Sequence, residues 1–124
     1  MDRNNFKTDI DLSYLREVVS GNTEFMIEMI DIFLDQTPGF VDDLTKAIEE
    51  KDWPKVALVA HKLKPTFSFM GIASANELME DIERDARDQT NLDEVVNRFH
   101  LMQDVLQTIF DNLQQKKQEL LKEG

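Results

Sequence analysis

The chain has 124 residues, enough for one hydrophobic core, and its 25 acidic against 14 basic residues give a formal net charge of −11. An acidic surface repels phosphate backbones and anionic headgroups, which argues against nucleic acid and membrane as partners. The absence of cysteine excludes disulfides and thiolate metal sites and suits a reducing, cytoplasmic compartment, and no apolar run approaches the roughly 18 residues of a membrane span.

Glycine and proline are sparse, and the 3.6-residue apolar period runs through nearly the whole chain, so every element is predicted to be helical. A short helix follows Asp11 in LSYLREVV. Gly21-Asn22 ends it and caps a long helix from about Thr23 to Glu50, whose apolar face is Met26, Met29, Ile30, Phe33, Leu34, Val41, Leu44 and Ile48. Pro38 is expected to bend or break that helix. Asp52 caps a third helix, with Pro54 in its tolerated first turn and Gly71 placed to stop it.

Ser74 with Glu77 reads as a capping box for a fourth helix that turns Leu78, Met79 and Ile82 inward. Asn91 with Glu94 opens a fifth helix in a similar way, running through Val95, Phe99, Met102, Leu106, Ile109 and Leu113 to about Leu121. Long amphipathic helices with short connections pack most simply as an all-α, up-down antiparallel four-helix bundle, here with a short additional N-terminal helix as a lid. Residues 1–124 read as a single monomeric domain, with 1–10 and the polar stretch 117–124 expected to fray.

One segment departs from plain amphipathic helix. In VALVAHKLKPTFSFMG, with Leu63 at the centre of the apolar stripe, Val56, Val59, Ala60, Phe67 and Met70 share its face while His61 falls about 160° away, towards solvent. Around His61 on the outer face are Ala57, Lys64, Pro65 and Ser68, flanked by Leu58 and Phe69. The segment from Lys51 to Ile72 is also the basic neighbourhood of the chain, with Lys51, Lys55, Lys62 and Lys64 against the single acid Asp52.

A lone surface histidine usually has no role, but this one has a small residue on one side, an ammonium three residues on, and exposed apolar area next to it. That combination describes a docking surface centred on a nucleophile. Neutral imidazole forms a phosphoryl adduct of high transfer potential, and a nearby ammonium stabilises charge on the phosphoryl oxygens.

AHKLKPTFSFMG resembles the active-site segment of histidine-containing phosphotransfer (Hpt) domains, the relay modules of two-component signalling. Their pattern of His, any residue, Leu, Lys, Gly, with a second Gly ten positions after the His, is met at His61, Leu63, Lys64 and Gly71 and departs at Pro65. The likeness extends from DLSYLREVVSGNTEFMIEMIDIFLDQTP through the last helix. It implies a four-helix bundle that takes a phosphoryl group on the His61 Nε2 from one receiver-domain aspartate and gives it to another, with Lys64 stabilising the phosphoryl group.

The expected partners are receiver domains of response regulators or hybrid histidine kinases, which would bring the Mg²⁺; no cofactor of the chain's own is implied. Where family members often place a Gln to orient the imidazole, this chain has Glu83, which can accept from the ring Nδ1–H but also repels a phosphoryl group; Arg87, one turn later, would offset that charge. Pro65 breaks the hydrogen bond to the His61 carbonyl, yet the apolar phase runs across it, which predicts one helix kinked near His61 and not two.

His100 on the last helix reads as structural or solvated. No Glu-x-x-His pairs for a di-metal bundle and no Gly-x-x-x-x-Gly-Lys loop occur, so the chain is expected to be a phosphocarrier and not itself a kinase. The competing class is a non-catalytic helical module that docks receiver domains without the chemistry; retention of both His61 and Lys64 favours the carrier.

Overall fold

The structure, a computed structural model, describes residues 6–123. Five helices follow one another: α1 (Ser13–Val18), α2 (Thr23–Glu49), α3 (Trp53–Phe69), α4 (Ala73–Asp88) and α5 (Leu92–Glu123), with no strand among the described residues. Connections of a few residues force consecutive long helices to run back along one another. Contacts link α2 to α3, α3 to α4, α4 to α5 and α5 back to α2, which closes a four-helix bundle; α3 and α4 share the most extensive interface, and α1 leans on α2.

The periodic apolar residues form the interior. Met26, Ile30, Phe33 and Leu44 of α2, Val56, Val59, Ala60, Leu63 and Phe67 of α3, Leu78, Met79 and Ile82 of α4, and Val95, Phe99, Met102, Ile109 and Leu113 of α5 are all buried in one cluster. Leu106 lies at its margin, half-buried. Helix starts are set as expected at two places: the Asn22 side chain accepts from the Phe25 N–H at 3.0 Å, and the Asp52 side chain accepts from the Lys55 N–H at 3.3 Å.

The anticipated capping box on α4 does not form. The helix begins at Ala73, one residue before Ser74, and Ile72 at the cap position makes no side-chain bond. The Ser74 hydroxyl instead accepts from the Lys7 N–H at 3.2 Å, so tertiary contact with the N-terminal segment has taken the group that a capping box would use. Pro38 does not break α2, which is continuous from Thr23 to Glu49, and α3 likewise runs through Pro65 as one helix; both prolines are exposed.

The ends are better anchored than their polarity suggests. Residues 117–123, expected to fray, are helical; Leu120 is buried, Lys117 Nζ donates to Asp31 Oδ1 at 2.7 Å, and Arg16 pairs with Glu123 at 3.4 Å. Of the N-terminal stretch expected to fray, residues 1–5 lie outside the described residues, while Phe6 is buried against the core. The Asn112 side chain holds this segment by donating to the Thr8 carbonyl at 3.0 Å.

Gly71, in the turn between α3 and α4, is where the N-terminal segment crosses. The Asp11 N–H donates to its carbonyl at 3.1 Å, its φ is +72°, and a Cβ placed on it would run into the Asp11 backbone. Only glycine allows both the left-handed turn and that approach. The crossing in turn seats α1, where Tyr14 meets the Phe69 ring edge-on, with centroids 5.7 Å apart.

Candidate functional site

α3 and α4 lie side by side, and the face they jointly present carries four of the residues singled out from sequence. His61 projects from the middle of α3 with 64% of its side chain exposed, opposite the buried stripe of Val59, Ala60 and Leu63. Its Nδ1 is 2.7 Å from Oε2 of Glu83 on α4. The other carboxylate oxygen, Oε1, accepts from Lys64 Nζ at 3.0 Å. Arg87, one turn beyond Glu83, approaches Oε2 at 3.8 Å.

Glu83 is the hub of this cluster, with only 12% of its side chain exposed. Burial pushes its carboxyl pKa up, but the hydrogen bonds from Lys64 and His61, with the charge of the ammonium, outweigh burial and hold it below the ordinary carboxylate value. An ionised carboxylate can only accept. In the neutral ring, Nδ1 therefore carries the proton and donates to Glu83, and the lone pair is left on Nε2, facing solvent. The arrangement presents an oriented nucleophilic nitrogen with an ammonium close by.

The remaining residues expected at the site are spread around this cluster. Leu58 is 54% exposed on α3. Ala57 is half-buried against the core, so it adds little relief beside His61. Lys62 is exposed, and its carbonyl accepts from the Thr66 hydroxyl at 3.3 Å. Ser68 is exposed beside Tyr14, Gly71 and Asn76 in a shallow recess. Pro65 and Phe69 line a groove of about 310 Å³ between α3 and α2, walled on the far side by Met29, Ile32, Phe33 and Phe40.

Phe69 is therefore half-buried between Tyr14 and this groove and is not a free flank of the histidine. Tyr14, more than half exposed, is a surface aromatic that the sequence reading did not single out; a six-residue helix is too short for periodicity to say which way it faces. His100, as expected, is solvent-exposed, with Nδ1 3.2 Å from the Gln103 side-chain oxygen.

A second charged cluster went unread. Asp85, one residue from Arg84 on α4, is 3% exposed and accepts from Arg98 Nη1 of α5 at 2.6 Å and from Arg84 Nε at 3.3 Å. The Arg98 hydrogen bond is the main reason its carboxyl lies below the ordinary value, against an opposing effect of burial. It ties α4 to α5 on the side of α4 away from His61, and its role is structural.

The exposed histidine and its carboxylate sit on an acidic four-helix bundle, and the comparisons with known proteins identify that fold and its family. The Hpt domain family model matches residues 28–116, and the chain belongs to that family. Hpt domains are phosphotransfer modules of two-component phosphorelays and act as phosphocarriers, not kinases. Among solved structures the fold is similar to the Hpt domain of a sensor hybrid histidine kinase from Shewanella, with a TM-score of 0.75 and 18% sequence identity over 89% of this chain and 94% of that one. Curated proteins gave no match.

Proposed function

We propose that this chain relays a phosphoryl group between receiver-domain aspartates through Nε2 of His61. The observation that carries the reading is the pairing of exposure with orientation: a ring 64% open to solvent whose Nδ1 is tied to Glu83 at 2.7 Å. A histidine without a role would not be expected to combine the two. Nε2 attacks the phosphorus of an aspartyl phosphate in line, the acyl oxygen leaves with the bonding pair, and the reverse step delivers the group to a second aspartate.

Lys64 supplies positive charge to the transferring phosphoryl oxygens, and the receiver brings the Mg²⁺. Docking uses the apolar area near the histidine, with exposed Leu58 on one side and, on the other, Pro65 and the α2–α3 groove that Phe69 partly walls; exposed Lys62 and Ser68 complete the surface. The basic α3 segment suits the acidic phosphorylation site of a receiver.

Incubation with a phosphorylated receiver domain tests this. The expected result is an acid-labile, alkali-stable label on the wild-type chain that is lost in His61→Gln, with thermal stability nearly unchanged because the ring is exposed. Undiminished labelling of the variant would refute the assignment. Receiver binding with no label on the wild type would make the chain a docking module without chemistry.

A further inference from the structure

In the resting protein the Lys64 ammonium is engaged by Glu83 at 3.0 Å, through the carboxylate that also holds the His61 ring at 2.7 Å. An Nε2-bound phosphoryl group carries close to two negative charges and competes for that ammonium. We infer that phosphorylation hands Lys64 from Glu83 to the phosphoryl group, and that Glu83, relieved of its lysine, then retains the ring proton on Nδ1 and keeps the adduct in its transfer-ready imidazolium form. The inference deepens the phosphocarrier reading and rests on it.

The charged groups facing Glu83 are few. α3 contributes His61 and Lys64, and α4 contributes Arg87, whose 3.8 Å approach is looser and shared with Asp88 at 3.9 Å. Arg84 points to Asp81 and Asp85 instead. Once Lys64 has moved, the carboxylate's strongest remaining partner is the Nδ1–H.

The chemistry requires that proton. When an acceptor oxygen attacks phosphorus, the Nε2–P bond breaks and its electron pair returns to Nε2. If Nδ1 is protonated, the leaving group is neutral imidazole; if Nδ1 is bare, it is an imidazolate, a far poorer leaving group. The proton is neither gained nor lost in a transfer cycle. It stays at Nδ1 on Glu83 while the phosphoryl group arrives and departs, so Glu83 is a positioning residue. A glutamine there could accept the same hydrogen bond but would lack the charge that stabilises the imidazolium.

The test is the pH profile of adduct breakdown. The wild-type chain and Glu83→Gln are phosphorylated with phosphoramidate, a small-molecule donor that needs no docking, and hydrolysis is followed by ³¹P NMR between pH 6.5 and 8.5, conditions chosen for the assay. An opposing charge at hydrogen-bond distance extends ring protonation by about one pH unit or more. The wild-type rate should therefore begin to fall about one pH unit later than that of Glu83→Gln, leaving the wild type about tenfold faster at the alkaline end.

Superimposable profiles would overturn the inference. A second measurement, independent of the variant's folding, is the ¹⁵N spectrum of the phosphorylated wild type across the range, in which Nδ1 should lose its proton about one pH unit above free Nε2-phosphohistidine; loss at the same pH would also overturn it. Failure of the wild-type His61 to take label from phosphoramidate would count against the phosphocarrier reading itself.

Discussion

Gly71→Ala tests how the N-terminal segment is locked onto the bundle. The substitution places a Cβ against the Asp11 backbone and holds a non-glycine residue at φ +72°. Left-handed backbone costs an L-residue about 1 to 2 kcal/mol. The crossing segment must also retreat, because the obstacle is backbone and not a side chain that can rotate away. Retreat breaks the 3.1 Å bond from the Asp11 N–H to the Gly71 carbonyl, a loss of about 1 kcal/mol. It also loosens the Tyr14–Phe69 contact, worth a further ~1 kcal/mol.

The sum is about 3 to 4 kcal/mol, a large share of the total stability of a domain this size. Urea titration monitored by far-ultraviolet circular dichroism should show the midpoint falling accordingly. A loss below about 0.5 kcal/mol, the level of an ordinary surface substitution, would refute the claim that glycine is required by the crossing.

Lys64→Ala should slow phosphoryl transfer while leaving receiver affinity largely intact, measured by rapid-quench labelling beside calorimetric binding; an unchanged rate would make the lysine merely a partner of Glu83. Asp85→Ala strands Arg98 at the α4–α5 interface and should lower stability by about 3 kcal/mol, at the low end for a broken buried pair because Arg98 retains some access to water. Since Asp85 and Glu83 both have folded-state pKa values below their unfolded ones, their contributions are fully present above about pH 5 and are lost as pH falls through the folded values. Wild-type stability should accordingly drop on acidification below that point, and less steeply in Asp85→Ala. Pro65→Ala restores a donor for the His61 carbonyl within continuous α3 and should raise the melting temperature while impairing relay, because the ring lines the docking groove; full relay activity would show that the proline is only tolerated.

The helix pattern was legible because burial and periodicity are the same fact stated twice: every residue placed on the apolar stripe of α3 and its C-cap, from Val56 to Met70, is buried, and His61 is outside. What escaped the sequence reading depends on pairings between distant segments. Ser74 looks like a cap until Lys7 takes its hydroxyl, and Asp85 looks like one more solvated acid until α5 brings Arg98 to it. Residues 117–123 look loose because their anchors, Asp31 and Arg16, lie about a hundred residues earlier. Glu83 is intermediate: its proximity to His61 followed from the family resemblance, but its simultaneous hold on Lys64 needed the geometry of two packed helices.

His61, Lys64, Glu83 and Arg87 all sit on one helical hairpin, α3 and α4 joined by a tight turn at Gly71. The site therefore depends on the register of just two neighbouring rods. A slide of one against the other by a full turn, about 5.4 Å, would stretch the 2.7 Å contact from His61 to Glu83 to about 6 Å, beyond hydrogen-bond range, while leaving every helix intact. If His61 carries the proposed relay, competence and folding are separable quantities: damage to α1 or α5 changes how many molecules are folded, whereas slippage within the hairpin would silence molecules that are folded.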